Sequence, residues 1–349
     1  MTGHEIAAGD PKSGASPVML DEFGRPGNFG WSRRPLFFYN PRLSRAPRRR
    51  ITESDRYIVF SPTHLISFEI SDNGYMGYVG VSIISLKDQR RSTYADIIAF
   101  PLGSFGFPQD SGKGSTRVRF KDYAVDFIVM ESGARIIKVD FPRFGHHRNL
   151  RGELVLSGPA EAESIVTNMP WRREGNAFRY SRISPWYTAE GVMQFGGAEL
   201  IFTKDKAWGM LDWSRGIRPR ADVHYWAAAC GQHEGRQMAF SVGYGSADSS
   251  FGTENAFFLD GRLHKLDQVT FHIPLGSWLE PWRFTSNDKR LEMRFTPHQE
   301  RSERHRMIVC SINRRQVCGF FSGRVILDGG EALEFRTLTG FAERRKTKH

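Results

Sequence analysis

Between Ala207 and Phe258 the chain reads AWGMLDWSRGIRPRADVHYWAAACGQHEGRQMAFSVGYGSADSSFGTENAFF, and side chains able to do chemistry crowd together there. The aromatic residues Trp208, Trp213, Tyr225 and Trp226 are interleaved with the polar Asp212, Arg215, Asp248, Glu254 and Asn255. Rings of this kind cover apolar ligand surface while a few polar groups fix its orientation, so the block is expected to wall a cavity. Asp212 stands among the indoles, where burial would raise its pKa and suit it to donate a proton. Arg215 comes three residues later. If the segment bends into a turn, its guanidinium meets the carboxylate, holds the charge and makes the pair a strut instead. Asp248, Glu254 and Asn255 fall in a Gly/Ser-rich loop, a usual place for ligand contacts, although an aspartate there also caps turns.

Other chemistries lack their parts. His264 and His272 share a face if extended, but no thiol or carboxylate set completes a metal site. His146 and His147 would point to opposite faces, and no Cys-x-x-Cys follows His298-Gln299-Glu300. A Gly-x-Ser-x-Gly elbow, a Walker loop and a Gly-x-Gly-x-x-Gly fingerprint are missing as well. The expectation is therefore no metal and no cofactor.

The elements that must position these residues read as strands. In RIIKVDF, Ile137, Val139 and Phe141 share a face, and in KDYAVDFIVM so do Tyr123, Val125, Phe127 and Val129. Such alternation marks strands buried on one side. Ser132-Gly133, Gly196-Gly197, Glu234-Gly235, Asp260-Gly261 and Asp328-Gly329 sit between apolar runs as hairpin turns. The best helical candidate is short, around residues 92–99. An all-β antiparallel meander that hides its edges by closing into barrels follows. In QMAFSVGYG, Ala239, Ser241, Gly243 and Gly245 form one bare face. It would either floor a cavity beside Asp212 and Trp226 or pack under a neighbouring sheet.

A length of 349 residues favours two domains. The expected division is a disordered leader 1–18, a first β-barrel 19–180 with an irregular arm, and a second β-barrel 181–345. The net charge of +11 is loaded at the ends, in Arg45, Arg48, Arg49 and Arg50 and again in Arg344, Arg345, Lys346 and Lys348. Such ends either solvate the chain or make a weak contact with an anionic surface; no specific nucleic-acid motif accompanies them. No uncharged apolar run is long enough to span a bilayer, so no transmembrane segment is expected. Cys230, Cys310 and Cys318 fit no disulfide or zinc framework, which points to a reducing, cytoplasmic setting.

The blocks DNGYMGYVGVSIIS, WGMLDWSRG, YWAAACGQHEGRQMAFSVGYG, TENAFFLDGRLHKLDQVTFHIP and PWRFTSNDKRLEMRFTP, with the arm and the closing FSGRVILDGGEALEFRTLTGFAER, resemble the domain-of-unknown-function 2804 family over about residues 18–345. More distantly, WGMLDWSRG followed by YWAAACGQHEGRQM is similar to a block of two-barrel lipocalin-like (calycin) proteins, among them carotenoid hydratases and tocopherol cyclases. That likeness implies two consecutive lipocalin-like barrels around an apolar cavity, and in carotenoid hydratases an acid in this block protonates an alkene; the matching position is Asp212. Three functions are then open. One is a binder of an apolar or amphipathic small molecule, through Trp208, Trp213, Tyr225 and Trp226 with Asp212, Arg215 and Asn255 as anchors. Another is a cofactor-free hydratase, cyclase or isomerase on an isoprenoid- or polyketide-like substrate, with Asp212 as general acid. The last is a basic scaffold on an anionic membrane or nucleic acid.

Overall fold

The computed structural model describes residues 3–6, 19–145, 148–172, 174–307 and 310–348. His146 and His147 lie outside the described residues, as does most of the leader. Its residues 3–6 are paired: Glu5 bridges Trp31 and Gly3 bridges Gly252.

Two curled antiparallel sheets make up the molecule, in the manner of two-barrel lipocalin-like folds. The first begins with β1 (Gly30–Ser32), β2 (Ile51–Phe60), β3 (His64–Asp72), β4 (Met76–Ser85) and β5 (Arg90–Ala99). It continues through β6 (Ser115–Phe120), β7 (Tyr123–Val129), β8 (Arg135–Phe144) and β9 (Arg148–Ser157). It ends with β10 (Ile165–Trp171), β11 (Glu174–Phe195), β12 (Ala198–Phe202) and β13 (Trp208–Ile217). The second sheet opens with β14 (Ala221–His233), β15 (Arg236–Gly245), β16 (Ala256–Leu259), β17 (Arg262–Lys265) and β18 (Val269–His272). β19 (Trp282–Ser286), β20 (Leu291–Arg306), β21 (Ser311–Ile326) and β22 (Ala332–Lys348) complete it. Strands run in the order β5-β4-β3-β2-β13-β11-β9-β8-β7-β6 in the first and β17-β16-β15-β14-β22-β21-β20-β19-β18 in the second. None of the described helices is long and apolar enough to cross a membrane.

The sheets part between Ile217 and Ala221, and residue 180 lies inside β11, which pairs into the first sheet on both sides of that point. The short helix expected at 92–99 is β5, held against β4 in continuous register. Local helical spacing loses there to ten successive ladder positions and to the packing of Tyr94 on Phe141 at 4.8 Å. The turns behave as their residues dictate. Glu234-Gly235 and Asp260-Gly261 all have positive φ, as two-residue hairpin loops of type I′ require.

Single-sided alternation holds on strands such as β8 but not on β4, every residue of which is buried. On β2, Tyr57 and Val59 face the first sheet's own core, while Ile58 and Phe60 face the second sheet. On β14, Ala227 and Ala229 join the second core, while Trp226, Ala228 and Cys230 face the first sheet. A third core therefore lies between the sheets, with Phe60 stacked on Phe341 at 6.3 Å and Trp186 edge-on to Phe258 at 5.7 Å. Each large side chain sealed there contributes about 1.5–3 kcal/mol. Beside this apolar part, Arg56 forks onto Glu343 at 3.0 and 3.2 Å, and Arg314 onto Glu69 at 2.7 and 3.0 Å, all buried.

The basic ends are partly drawn into the fold, with Arg45, Arg49, Lys346 and Lys348 left exposed. Arg48 pairs with Glu53, Arg50 reaches Glu174 at 2.6 Å, and Arg345 is half-buried on β22 rather than in a free tail.

Candidate ligand site at the junction of the sheets

A cavity of about 390 Å³ opens where the end of β15 and the strand β18 meet β10 and β11 of the first sheet. Its apolar wall includes Met169, Trp171, Tyr244, Val269 and Phe271, with Tyr244 edge-on to Phe271 at 5.1 Å. The rim loop is tied to the first sheet: Trp171 bridges Ala247, and the Asp248 backbone N–H donates to Pro170 O at 2.9 Å. At the inner end stand Arg179, Asp222, His224, Glu254 and Asn255.

Alternation along the strands explains how they arrive. Asp222, His224 and Trp226 share the face of β14 that looks toward the first sheet, and Arg179 on β11 looks back at them. Glu254 and Asn255 follow the Gly/Ser loop, and Asn255 is locked there: its Oδ1 accepts from Gly243 N at 2.6 Å and its Nδ2 donates to Asp267 O at 2.7 Å. Gly243 must be glycine, because a Cβ would collide with the Glu254 carboxylate.

Electrostatics sort the polar groups. His224 Nε2 is hydrogen-bonded to Glu254 Oε1, and Glu254 Oε2 lies 3.8 Å from Arg179 Nη1. Burial pushes the Glu254 carboxyl up, but the neighbouring His224 and Arg179 outweigh it and bring its pKa to about 2. Glu254 is thus an anion at any ordinary pH. The Arg179 guanidinium, 14% exposed, donates no hydrogen bond among the described residues. Within those residues no cluster of three or more His, Cys, Asp or Glu has metal-holding geometry.

The structure divides the residues singled out from sequence. Glu254 and Asn255 line the cavity. Asp248 sits beside it as a turn cap, accepting from Ser250 N at 3.1 Å and Ser250 Oγ at 2.8 Å, with Arg172 at 3.5 Å. The four aromatics expected as walls go elsewhere. Trp213 lies in the first core, edge-on to Tyr180 at 5.4 Å. Trp208 packs on the core between the sheets, and so does Trp226, whose Nε1 donates to Ser241 Oγ at 2.9 Å. Tyr225 stacks on its cross-strand neighbour Tyr244 at 4.8 Å and does not itself line the cavity.

Asp212 and Arg215 do not meet. The segment is an extended strand, so their odd spacing sends them to opposite faces. Arg215 points into the first core and pairs with Asp55 at 2.9 Å. Asp212 points between the sheets into a space of about 10 Å³, and burial raises its pKa against the pull of Arg179 and Arg56. Arg179 and His224 border both that space and the cavity, so Asp212 lies behind them. The bare face of β15 does both things expected of it: Ala239 packs under the first sheet, whereas Gly243 and Gly245 floor the cavity.

Arg179, His224 and Asp222 went unread in the sequence. The one signal available was DVHYW, in which Asp222, His224 and Trp226 recur every second residue and so must share a face.

The sequence model of the family described as Domain of unknown function (DUF2804) matches residues 5–349. No curated protein matches the sequence. Among solved structures, a candidate AttH from Nitrosomonas europaea aligns over 85% of this chain and 93% of its own, at 13% identity and TM-score 0.50. Kievitone hydratase from Nectria haematococca aligns over 84% of this chain and 88% of its own, at 10% identity and TM-score 0.49. At such identities the likeness concerns the fold alone.

Proposed function

The chain belongs to the Domain of unknown function (DUF2804) family, and from that premise and the cavity at the sheet junction we propose that the protein binds one amphipathic small molecule there. The observation that carries the reading is the cavity's division into an aromatic wall and a buried charged end. A volume of about 390 Å³ is that of a small-molecule pocket. Trp171, Tyr244 and Phe271 would cover an apolar body, and the group of Arg179, His224 and Glu254 would meet its polar end. The anchors thus shift from Asp212 and Arg215 to residues contributed by both sheets.

The neutral fluorophore N-phenyl-1-naphthylamine tests this by titration. Saturable binding at one site is expected, weakened by about tenfold in Tyr244→Ala, which strips half-exposed wall, and in Ala247→Trp, which fills the rim. Affinity unchanged in both variants would overturn the assignment. Native mass spectrometry of protein purified from its own host would then identify the resident molecule.

A further inference from the structure

His224 is joined to Glu254 in a way that binding alone does not require. Nε2 is taken up by a carboxylate that is itself held by Arg179, so the proton of the neutral imidazole resides on Nε2. Nδ1 is then the lone-pair nitrogen. It has no hydrogen-bond partner among the described residues, and His224 lines the cavity. Beside it, Arg179 lines the same cavity with donors that no described acceptor uses. A base oriented by a buried carboxylate and a guanidinium with open hydrogen-bond donors share one chamber.

We propose that His224 is a general base toward the molecule bound in this cavity, with Glu254 as its positioning residue and Arg179 facing the negative charge that develops. The inference rests on the cavity being a binding site and names the class of substrate: a compact apolar molecule with a C–H made acidic by an adjacent carbonyl. Nδ1 takes that proton. The C–H electron pair becomes a C=C bond, and the carbonyl π pair moves onto oxygen, opposite Arg179. The imidazolium, stabilised by Glu254, returns the proton to the same or a conjugated carbon. The product is an isomer of the substrate, and neither oxidant nor reductant is consumed.

5-Nitrobenzisoxazole is a probe for this step. A base removes its C3 proton, the electron pair forms a nitrile, the N–O bond breaks, and a coloured phenolate leaves. The wild-type protein is expected to turn it over, with saturating N-phenyl-1-naphthylamine blocking the reaction. His224→Gln keeps a donor toward Glu254 but has no base; it should slow kcat by about 100-fold or more while saturable naphthylamine binding is retained. Glu254→Gln should lower kcat by about tenfold with KM unchanged, and Glu254→Asp should restore part of it. His224→Asn serves as a second variant if His224→Gln folds poorly. Turnover equal to wild type in the histidine variants, with the naphthylamine still bound and still displaced by the probe, overturns the general base and leaves the binding site standing. Failure of the naphthylamine to bind, or of the probe to displace it, removes both.

Discussion

The two sheets use arginine in opposite ways. Inside the first, Arg215 is fully sealed and its donors are spent on Ser54 O at 2.9 Å and Pro108 O at 3.0 Å, besides Asp55. Arg135 likewise reaches Ser111 O at 2.6 Å and the hydroxyls of Tyr57 and Tyr187. These contacts draw the segment 100–114 into the barrel, where Phe105 and Phe107 complete the core and leave a space of only about 10 Å³. At the junction with the second sheet, Arg179 is largely enclosed, but it satisfies no described hydrogen-bond acceptor and borders about 390 Å³ of open volume. A buried guanidinium with its hydrogen bonds filled is a strut. One with them vacant beside a cavity is a place for a ligand.

Breaking the strut should have the largest consequence. Arg215→Met strands the Asp55 carboxylate in the first core and should cost about 3–5 kcal/mol in urea unfolding, whereas Arg179→Met should cost far less and strike turnover of 5-nitrobenzisoxazole instead. Equal losses of stability in the two variants would erase the contrast.

Acid should act next, on the seam between the sheets. Burial pushes Glu69 and Glu343 up, yet the Arg314 and Arg56 partners outweigh it and bring both to about 2, below the ordinary 4.5. A depressed carboxylate stabilises the fold above its unfolded pKa, so this contribution is complete above about pH 4.5 and is lost as pH falls toward 2. The urea midpoint should drop through that window, and Glu343→Gln, already lower at pH 7, should drop less. A midpoint flat from pH 5 to 3 would contradict the assignment.

The smallest effect is expected at Asp212. Its carboxylate is held above the usual range by burial, so its ionisation opposes folding at neutral pH and ceases to do so as pH falls through the raised value. Asp212→Asn should leave the thermal midpoint equal or higher and naphthylamine affinity within about twofold. A loss of affinity beyond tenfold would return Asp212 to the site.

Much of the fold was legible in the sequence. Alternating runs such as Ile137, Val139 and Phe141, and the turns at Glu234-Gly235 and Asp260-Gly261, announce strands and hairpins because both depend on neighbouring residues alone. The site was legible only in part. Glu254 and Asn255 could be suspected from their loop, but the indoles of Trp213 and Trp226 misled because central strands of this protein are apolar on both faces. When either face can be buried, composition does not say which one meets a cavity and which meets another sheet.

The sequence by itself therefore determined the antiparallel strands, their turns and the membership of the Domain of unknown function (DUF2804) family. Which polar groups work together was decided by the docking of the sheets. His224 and Glu254 are thirty residues apart, and Arg179 comes from the other sheet altogether. Strand pattern reports a residue's local side, whereas a binding site is built from sides that only long-range packing brings face to face.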